Sequence, residues 1–430
     1  MKRWITKIEQ WPRALTLGAI LASALILRLA IVIALPELGD PDNMDTQNYL
    51  RIARRLITGY GFAMWLKPTA YVAPVYPFFL AGVFKVFGEN LFAVKLIQAL
   101  LGAATVGLVY ALASRFTRPF AALLAALMIA VHPELLGITS FIYTETLFVF
   151  LLVAALLILV HAVSSAKWIH FLFGGMMLGL VTLCRGATLQ LPIFFLGVLL
   201  LSTQRWIWLR RWMIAMAGMV IVMSPWVIRN YHHFNTFLPV ATGSGDVFWT
   251  GNYLEFDGEF RYEQTQAKLL EIAGEVDLLT RDRILMNDAK NQILAEPLPH
   301  AWLFVRKIFR YWFLVYEDVP HGDARQRNWL VFGVLAFTHY ALLIFAAVGL
   351  VQCRWQEAPA KFLLAFVTYY TLIHAATLAV ARYRIPLLPL MSIAAAVGIV
   401  WLLEKFFAKE DRVAIGAAAP TPAAVDLMKE

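Results

Sequence analysis

About ten long apolar stretches run through this chain and leave it few ways to fold. They fall at 14–35, 91–113, 119–136, 141–163, 168–184, 187–203, 212–230, 328–351, 361–380 and 385–404. A helix needs ~20 mostly apolar residues to cross a bilayer. Of the 430 residues, 60% are hydrophobic and 15% charged, where a soluble domain has roughly 45–50% and about 25%. That composition excludes an ordinary cytosolic enzyme, a disordered chain and a fibrous protein. The 14% aromatic share suits neither a linker nor a coiled coil. Cys184 and Cys353 lie in separate apolar stretches, so no disulfide framework or thiolate metal site is expected. The first stretch is longer than the apolar core of a signal peptide, about 7–15 residues, and reads as a retained helix.

The basic residues orient the stretches. Lys2, Arg3, Lys7 and Arg13 precede the first, and Arg115 and Arg118 separate the second from the third. Lys167, then Arg205, Arg210 and Arg211, then Arg354 and Lys361 occupy alternate later connections, and Lys405, Lys409 and Arg412 follow the last. Ten spans place all of these on one side, as the positive-inside rule requires. The +9 net charge is then read as cytoplasmic anchoring and attraction to anionic lipid, with no nucleic-acid partner. The expected fold is an all-α polytopic membrane protein of about 10, alternatively 11, transmembrane helices with two outer-face segments. The organisation is a cytoplasmic basic N-terminus (1–13), a first span (14–35), an outer loop with surface helices (36–90) and a bundle (91–230). A second outer loop (231–327), the C-terminal spans (328–404) and a disordered cytoplasmic tail (405–430) complete it. The eleventh-span alternative is 301–316, which Arg306, Lys307 and Arg310 interrupt at helical spacing. A span there would turn Arg354 and the C-terminal lysines outward, so it reads as an amphipathic interfacial helix.

Several charges sit where the lipid rule does not want them. Arg185 lies at the outer end of the fifth span, Arg229 at that of the seventh, and Arg382 and Arg384 at that of the ninth. Ionisable groups at membrane depth are costly and mark function by default. Converging under the outer segments, these four would bind an anion, and the guanidinium fork suits phosphate. The plainer reading is separate snorkelling to headgroups, or pairing with Glu145 or Asp246. Glu145 stands just inside the fourth span, paired with an arginine or touching a polar substrate.

The first outer segment supplies the opposite charge. Asp40, Asp42 and Asp45 precede a helix-like stretch that Gly59 and Gly61 end. Asp45 is read as its cap, where a carboxylate meets free N–H groups, or as a catalytic carboxylate. Tyr49, Ile52, Ala53 and Leu56 form one face of that helix. Aromatic residues at 67–88, Tyr71 and Tyr76 among them, serve as interfacial anchors or as rings that stack on a sugar. Asp40-x-Asp42 resembles an acidic pair holding a divalent ion on a sugar phosphate, yet Pro41 and the short spacing to Asp45 weaken it, and no cofactor is expected. His232, His233, His321 and Asp323 contain enough ligands for zinc but match no spacing motif. The Gly243-Ser244-Gly245-Asp246 turn does not read as a phosphate loop, because no suitable helix start is expected after it.

Taken together, these features resemble the GT-C superfamily of integral membrane glycosyltransferases, over about residues 14–404. The nearest branch is the family 39-like group of protein O-mannosyltransferases and lipid A aminoarabinose transferases. Asp45-Thr-Gln-Asn-Tyr49 with Ala53, Leu56 and Gly59-Tyr-Gly61-Phe62 matches the first outer loop, and Pro74-Val-Tyr76-Pro77 its surface helix. Thr144-Glu145, Leu183-Cys-Arg185, Ser224-Pro225-Trp226-Val-Ile-Arg229-Asn230 with Gly251-Asn252, and Arg382-Tyr383-Arg384-Ile-Pro386 follow in the family's order. Two positions depart: Thr46 stands where protein mannosyltransferases carry a second acidic residue. Ala73 precedes Pro74 where the aminoarabinose enzymes carry a basic one, leaving Lys67 nearest.

The resemblance implies an inverting transferase that moves one sugar from a polyprenyl-phosphate carrier to a lipid, glycan or protein acceptor. It implies Asp45 as catalytic carboxylate, and Tyr49, Tyr71, Tyr76, Glu145, Arg185, Arg229, Asn230, Arg382, Tyr383 and Arg384 as substrate-binding residues. The expected location is a bacterial inner membrane, with the active site on its periplasmic face. The alternatives are a lipid-linked glycan ligase or polymerase, and a transporter or flippase of lipid-linked sugars. Against the transporter stand the absence of internal repeats and of midplane polar groups on broken helices.

Overall fold

The computed structural model describes residues 13–36, 44–64, 67–200, 204–314, 329–352 and 358–417. Asp40, Asp42, His321, Asp323, Cys353, Arg354 and the tail beyond 417 lie outside the described residues. Almost everything described is helical. Among the described residues six helices are long and apolar enough to cross a membrane: Arg13–Ala34, Leu91–Ala113, Glu145–Ser165, Arg205–Phe234, Trp329–Gln352 and Ala381–Phe407. A bent pair, Pro119–Val131 with Pro133–Ser140, makes a seventh if taken as one span. Shorter apolar helices cover Val75–Phe87, Trp168–Cys184, Gly186–Leu200 and Ala360–Ala376. The chain is a multi-pass membrane protein.

In chain order the helices that build the site are α1 (Arg13–Ala34), α2 (Met44–Ile57), α3 (Val75–Phe87) and α4 (Leu91–Ala113). The bent pair follows as α5 (Pro119–Val131) and α6 (Pro133–Gly137), then α7 (Glu145–Ser165) and α8 (Trp168–Cys184). Next come α9 (Leu191–Leu200), α10 (Arg205–Phe234) and α11 (Ser244–Asn252). The chain continues through α12 (Tyr262–Ala273), α13 (Leu278–Ala295) and α14 (Pro297–Phe313). It closes with α15 (Trp329–Gln352), α16 (Ala358–Ala376) and α17 (Leu388–Ala417). A two-stranded antiparallel hairpin, β1 (Ala63–Met64) and β2 (Lys67–Pro68), pairs Ala63 with Pro68 and Met64 with Lys67.

Lipid tails supply no hydrophobic drive between helices, so close packing rests on small residues. A Cβ on Gly175 of α8 would stand 1.7 Å from Ala215 O of α10. One on Gly349 of α15 would stand 1.8 Å from Ala394 O of α17. Those pairs pack backbone to backbone.

The break between α5 and α6 turns the chain by 54°. Pro133 has no N–H to give the Ile129 carbonyl. Arg28, buried in the middle of α1, fills the gap: its guanidinium donates to Ala130 O at 3.2 Å, Ile129 O at 3.4 Å and Ala24 O at 3.0 Å. A cation inside a span is here a carbonyl cap for a broken neighbour, a role invisible in the hydropathy pattern.

Residues 231–314 are more structured than the expected outer loop with one interfacial helix. The helices α11, α12 and α13 share a small apolar cluster of Trp249, Tyr253, Leu269, Ala273, Leu285 and Ala289. Trp249 Nε1 donates to Asp288 Oδ2 at 2.7 Å. The Gly243–Asp246 turn, expected to lead into no helix, opens α11. The Asp282 carboxylate occupies that helix start, accepting from Gly245 N at 2.6 Å. The helix α14 carries the expected apolar stripe, with Leu298, Trp302, Phe309 and Phe313 exposed. Lys307, read as part of its charged interruption, is buried.

Candidate active site

Four charged side chains meet where α2, α7, α8 and the turn before α17 come together. Asp45 lies in the first turn of α2, where the free N–H groups favour an acid. Glu145 is the first residue of α7 and has the same electrostatic reason to be there. Arg185 is the residue at which α8 stops, and Arg382 sits in the 3₁₀ stretch Ala381–Leu387. Arg382 Nη2 lies 3.1 Å from Asp45 Oδ2. Its Nε lies 3.1 Å from Glu145 Oε1, and Arg185 Nη1 reaches the same oxygen at 3.1 Å. The chain runs Asp45, Arg382, Glu145, Arg185, two negative and two positive groups.

Exposure falls steeply from Asp45 to Glu145. The side chain of Asp45 is 50% exposed and that of Arg382 30%. Arg185 is 14% exposed and Glu145 1%. Asp45 is therefore the end that solvent reaches, and Glu145 the buried counter-charge paired with both arginines. Aromatic faces complete the cationic wall. Arg382 lies over the Tyr143 ring at 4.5 Å and Arg185 over the Tyr383 ring at 4.4 Å. Such contacts add ~0.5–2 kcal/mol each.

The surroundings pin Asp45. Thr46 Oγ1 donates to Ile142 O at 3.3 Å, tying α2 to the bend before Glu145. Tyr49 meets Tyr76 edge to face at 5.2 Å. Tyr76 OH donates to Gln98 Oε1 at 2.8 Å, and Gln98 Nε2 donates onward to Thr139 O and Phe141 O at 2.8 and 2.9 Å. The Tyr49 hydroxyl pKa is pushed well up, first by burial and then by the Asp45 and Glu145 charges. Tyr49 therefore stays protonated near the carboxylates.

The other expected residues lie elsewhere. The four arginines do not converge. Arg229 turns to the hairpin, donating to Phe62 O at 2.6 Å and Thr69 O at 2.7 Å. It also lies over the Trp226 ring at 5.0 Å. Arg384 is fully buried, donates to Tyr311 O at 3.2 Å and to Leu314 O, and faces Glu134 at 3.6 Å. Both donate to backbone carbonyls, and sequence position alone does not distinguish that duty from phosphate binding. Asn230 is likewise committed, accepting from Arg229 at 2.9 Å and donating to Leu238 O at 3.0 Å. Tyr76 is buried behind Tyr49, and Tyr71 sits half-buried by the hairpin, its N–H bonded to Thr69 Oγ1. Asp246 pairs with Arg281 at 3.1 Å. The sequence reading missed Tyr143, whose signal was its place two residues before Glu145. Among the described residues no group of three or more His, Cys, Asp or Glu is placed to hold a metal.

A family model described as dolichyl-phosphate-mannose-protein mannosyltransferase matches residues 68–228. The match takes in Tyr76, Glu145 and Arg185 but stops short of both Asp45 and Arg382. Archaeal oligosaccharyltransferase AglB from Archaeoglobus fulgidus, in complex with an inhibitory peptide and a dolichol-phosphate, has a similar structure. The TM-score is 0.59 at 15% identity, over 96% of this chain and 53% of that one. The apo form of the Archaeoglobus fulgidus oligosaccharyltransferase gives 0.56 at 16%, over 92% and 52%. ArnT from Cupriavidus metallidurans bound to undecaprenyl phosphate gives 0.44 at 15%, over 89% and 76%. No curated protein matches at the sequence level. The chain spans about half the length of the archaeal enzyme. The likeness shows a fold shared with the archaeal oligosaccharyltransferase, in keeping with the resemblance carried by the order of motifs along the sequence.

Proposed function

We propose that this chain is an inverting glycosyltransferase that moves a single sugar from a polyprenyl-phosphate carrier to a lipid, glycan or protein acceptor. In this reading ten spans cross a bacterial inner membrane, and the site opens on the outer face. The observation that carries it is the graded charge chain from exposed Asp45 to buried Glu145. It sets an accessible carboxylate beside a cationic wall in a fold whose archaeal neighbour was solved with dolichol-phosphate.

The chemistry follows from that layout. The carrier phosphate binds against Arg382 and Arg185, which stabilise the charge that grows as the glycosidic C–O bond breaks. A preorganised donor of this kind is worth about 2.7–4 kcal/mol. A phosphate leaving group with its second pKa near ~6 needs no general acid. Asp45 accepts the proton of an acceptor hydroxyl as that oxygen attacks the anomeric carbon from the opposite face. The attack inverts the centre, and base assistance contributes ~10²–10⁴-fold. If the acceptor is itself a phosphate, Asp45 orients it instead. Donor binding also frees Asp45, because the phosphate and Asp45 compete for the same Arg382 guanidinium.

The test is thermal stability of the purified protein in nanodiscs with undecaprenyl phosphate. A ligand at ~100 times its dissociation constant adds about 2.7 kcal/mol to the native state. Wild type is expected to be stabilised and Arg382→Ala not. Absence of stabilisation in wild type would remove the carrier from the proposal. Transfer of an intact glycan in place of one sugar would make the protein a ligase.

A further inference from the structure

Lys307 is a buried ammonium met by neutral oxygens. Its side chain is 0% exposed. Nζ donates to Gly251 O at 2.6 Å, Thr377 O at 2.8 Å and Asn252 Oδ1 at 3.2 Å. Those three acceptors use all three of its N–H bonds. Burying a cation in this way is costly, so the side chain needs a reason to be there.

The acceptors show what it joins. Gly251 and Asn252 end α11, in the second outer segment. Thr377 follows α16 and leads into the 3₁₀ stretch that carries Arg382. Asn252 holds the same strip from the other side, donating Nδ2 to Ala376 O at 3.0 Å. His300 holds Asn252 in turn, its ring Nε2 3.1 Å from Asn252 O. The fit leaves no slack, since a Cβ on Gly251 would stand 1.7 Å from Thr377 O. Further along α14, Tyr311 OH donates to Tyr383 O at 3.1 Å. The strip 376–384 is thus gripped on both sides of Arg382 by one helix of the outer segment.

We propose that Lys307 and Asn252 are positioning residues that set the Arg382 guanidinium against Asp45 and Glu145 by fixing the Ala376 and Thr377 carbonyls. The outer segment is then part of the site without touching substrate. This rests on the carrier-binding reading only for its consequence, the grip of Arg382 on phosphate; the clamp itself is tested without ligand.

The experiment compares wild type, Lys307→Met, Asn252→Ala and the surface control Lys268→Ala in nanodiscs, by hydrogen exchange and by undecaprenyl phosphate binding. Lys307→Met and Asn252→Ala are expected to speed exchange in 376–384 while leaving 44–57 and 145–165 as in wild type. Their dissociation constants for undecaprenyl phosphate are expected to rise about tenfold, since an ångström of misplacement can cost up to ~10²-fold. Exchange that stays at the wild-type rate in 376–384, or that rises across the whole chain, overturns the proposal. So does an unchanged dissociation constant beside locally faster exchange. Should wild type fail to bind the carrier, the functional reading falls and the exchange pattern alone decides on the clamp. Asn252→Ala keeps the test open if Lys307→Met does not fold.

Discussion

Asp45 and Glu145 share one guanidinium. Arg382 reaches the first through Nη2 and the second through Nε, each at 3.1 Å. One of its partners is half exposed and the other buried, so the two contacts differ in consequence. Glu145 fixes where Arg382 sits. Asp45 is the partner that a competing anion can displace. A resting site of this kind is close to charge-neutral, and an incoming phosphate exchanges one anion for another without stranding a positive charge.

Asp45→Asn tests that division of labour. The amide keeps the size of the carboxylate and loses its basicity. Sugar transfer is expected to fall ~10²–10⁴-fold, the usual worth of a general base. Undecaprenyl phosphate affinity is expected to hold or rise, because Arg382 no longer has a surface carboxylate to release. Transfer that stays intact would leave Asp45 as a first-turn acid that only complements the start of α2.

Glu145→Gln should act on stability first. It leaves Arg185 and Arg382 beside a neutral amide in a buried place. Removing one partner of a buried pair costs about 3–5 kcal/mol, and the partial exposure of Arg382 places this variant at the low end. The melting temperature is expected to drop well below that of Asp45→Asn. Equal melting temperatures would mean that Glu145 does not hold the arginines.

Arg229→Lys separates a structural arginine from a binding one. A lysine is shorter and lacks the two-nitrogen fork with which Arg229 reaches Phe62 O and Thr69 O, and Thr69 O left without that donor costs about 1–3 kcal/mol. Loss of thermal stability with an unchanged dissociation constant for undecaprenyl phosphate is expected. Arg382→Ala should do the reverse. A large loss of affinity in Arg229→Lys would return that residue to the phosphate site.

These contrasts show what the sequence could and could not say. Apolar runs marked helices closely, as 14–35 and 91–113 became Arg13–Ala34 and Leu91–Ala113, but of the ten expected spans six helices, or seven with the bent pair, are long and apolar enough among the described residues. Glu145 and Arg185 stood out because charge is rare in such runs, and they did prove to be paired. Arg229 and Arg384 gave the same signal for a different reason. An arginine at a helix end looks alike in sequence whether it meets a phosphate, a carboxylate or a carbonyl, and only packing decides which. Lys307 was harder still. Its acceptors lie on α11 and after α16, remote in sequence, so it read as one more charge on an amphipathic face. The helix α11 was missed because Gly243-Ser-Gly-Asp has the composition of a turn, while the Asp282 side chain that starts the helix comes from another helix.

Lys307 also makes a pH prediction whose sign is fixed. Burial, with Arg310 on the same helix adding to it, brings the ammonium pKa down to about 7. Arg310 is itself paired with Asp257 at 2.7 Å. Among the described residues, the partners at the ammonium are the neutral oxygens of Gly251, Asn252 and Thr377. In the unfolded chain a lysine titrates near ~10.4. Below pH 7 both states hold the proton, and the folded state bears the full penalty of the buried charge. Between about 7 and ~10 the unfolded state binds more protons than the folded one, so stability rises with pH across that window. Lys307→Met has no proton to lose. The melting temperature of wild type relative to Lys307→Met is therefore expected to climb from pH 7 to pH 9. His300, which contacts Asn252, is common to both proteins and cancels. Parallel melting profiles would show that the ammonium pays no burial penalty, and that the three oxygens stabilise its charge as well as water does.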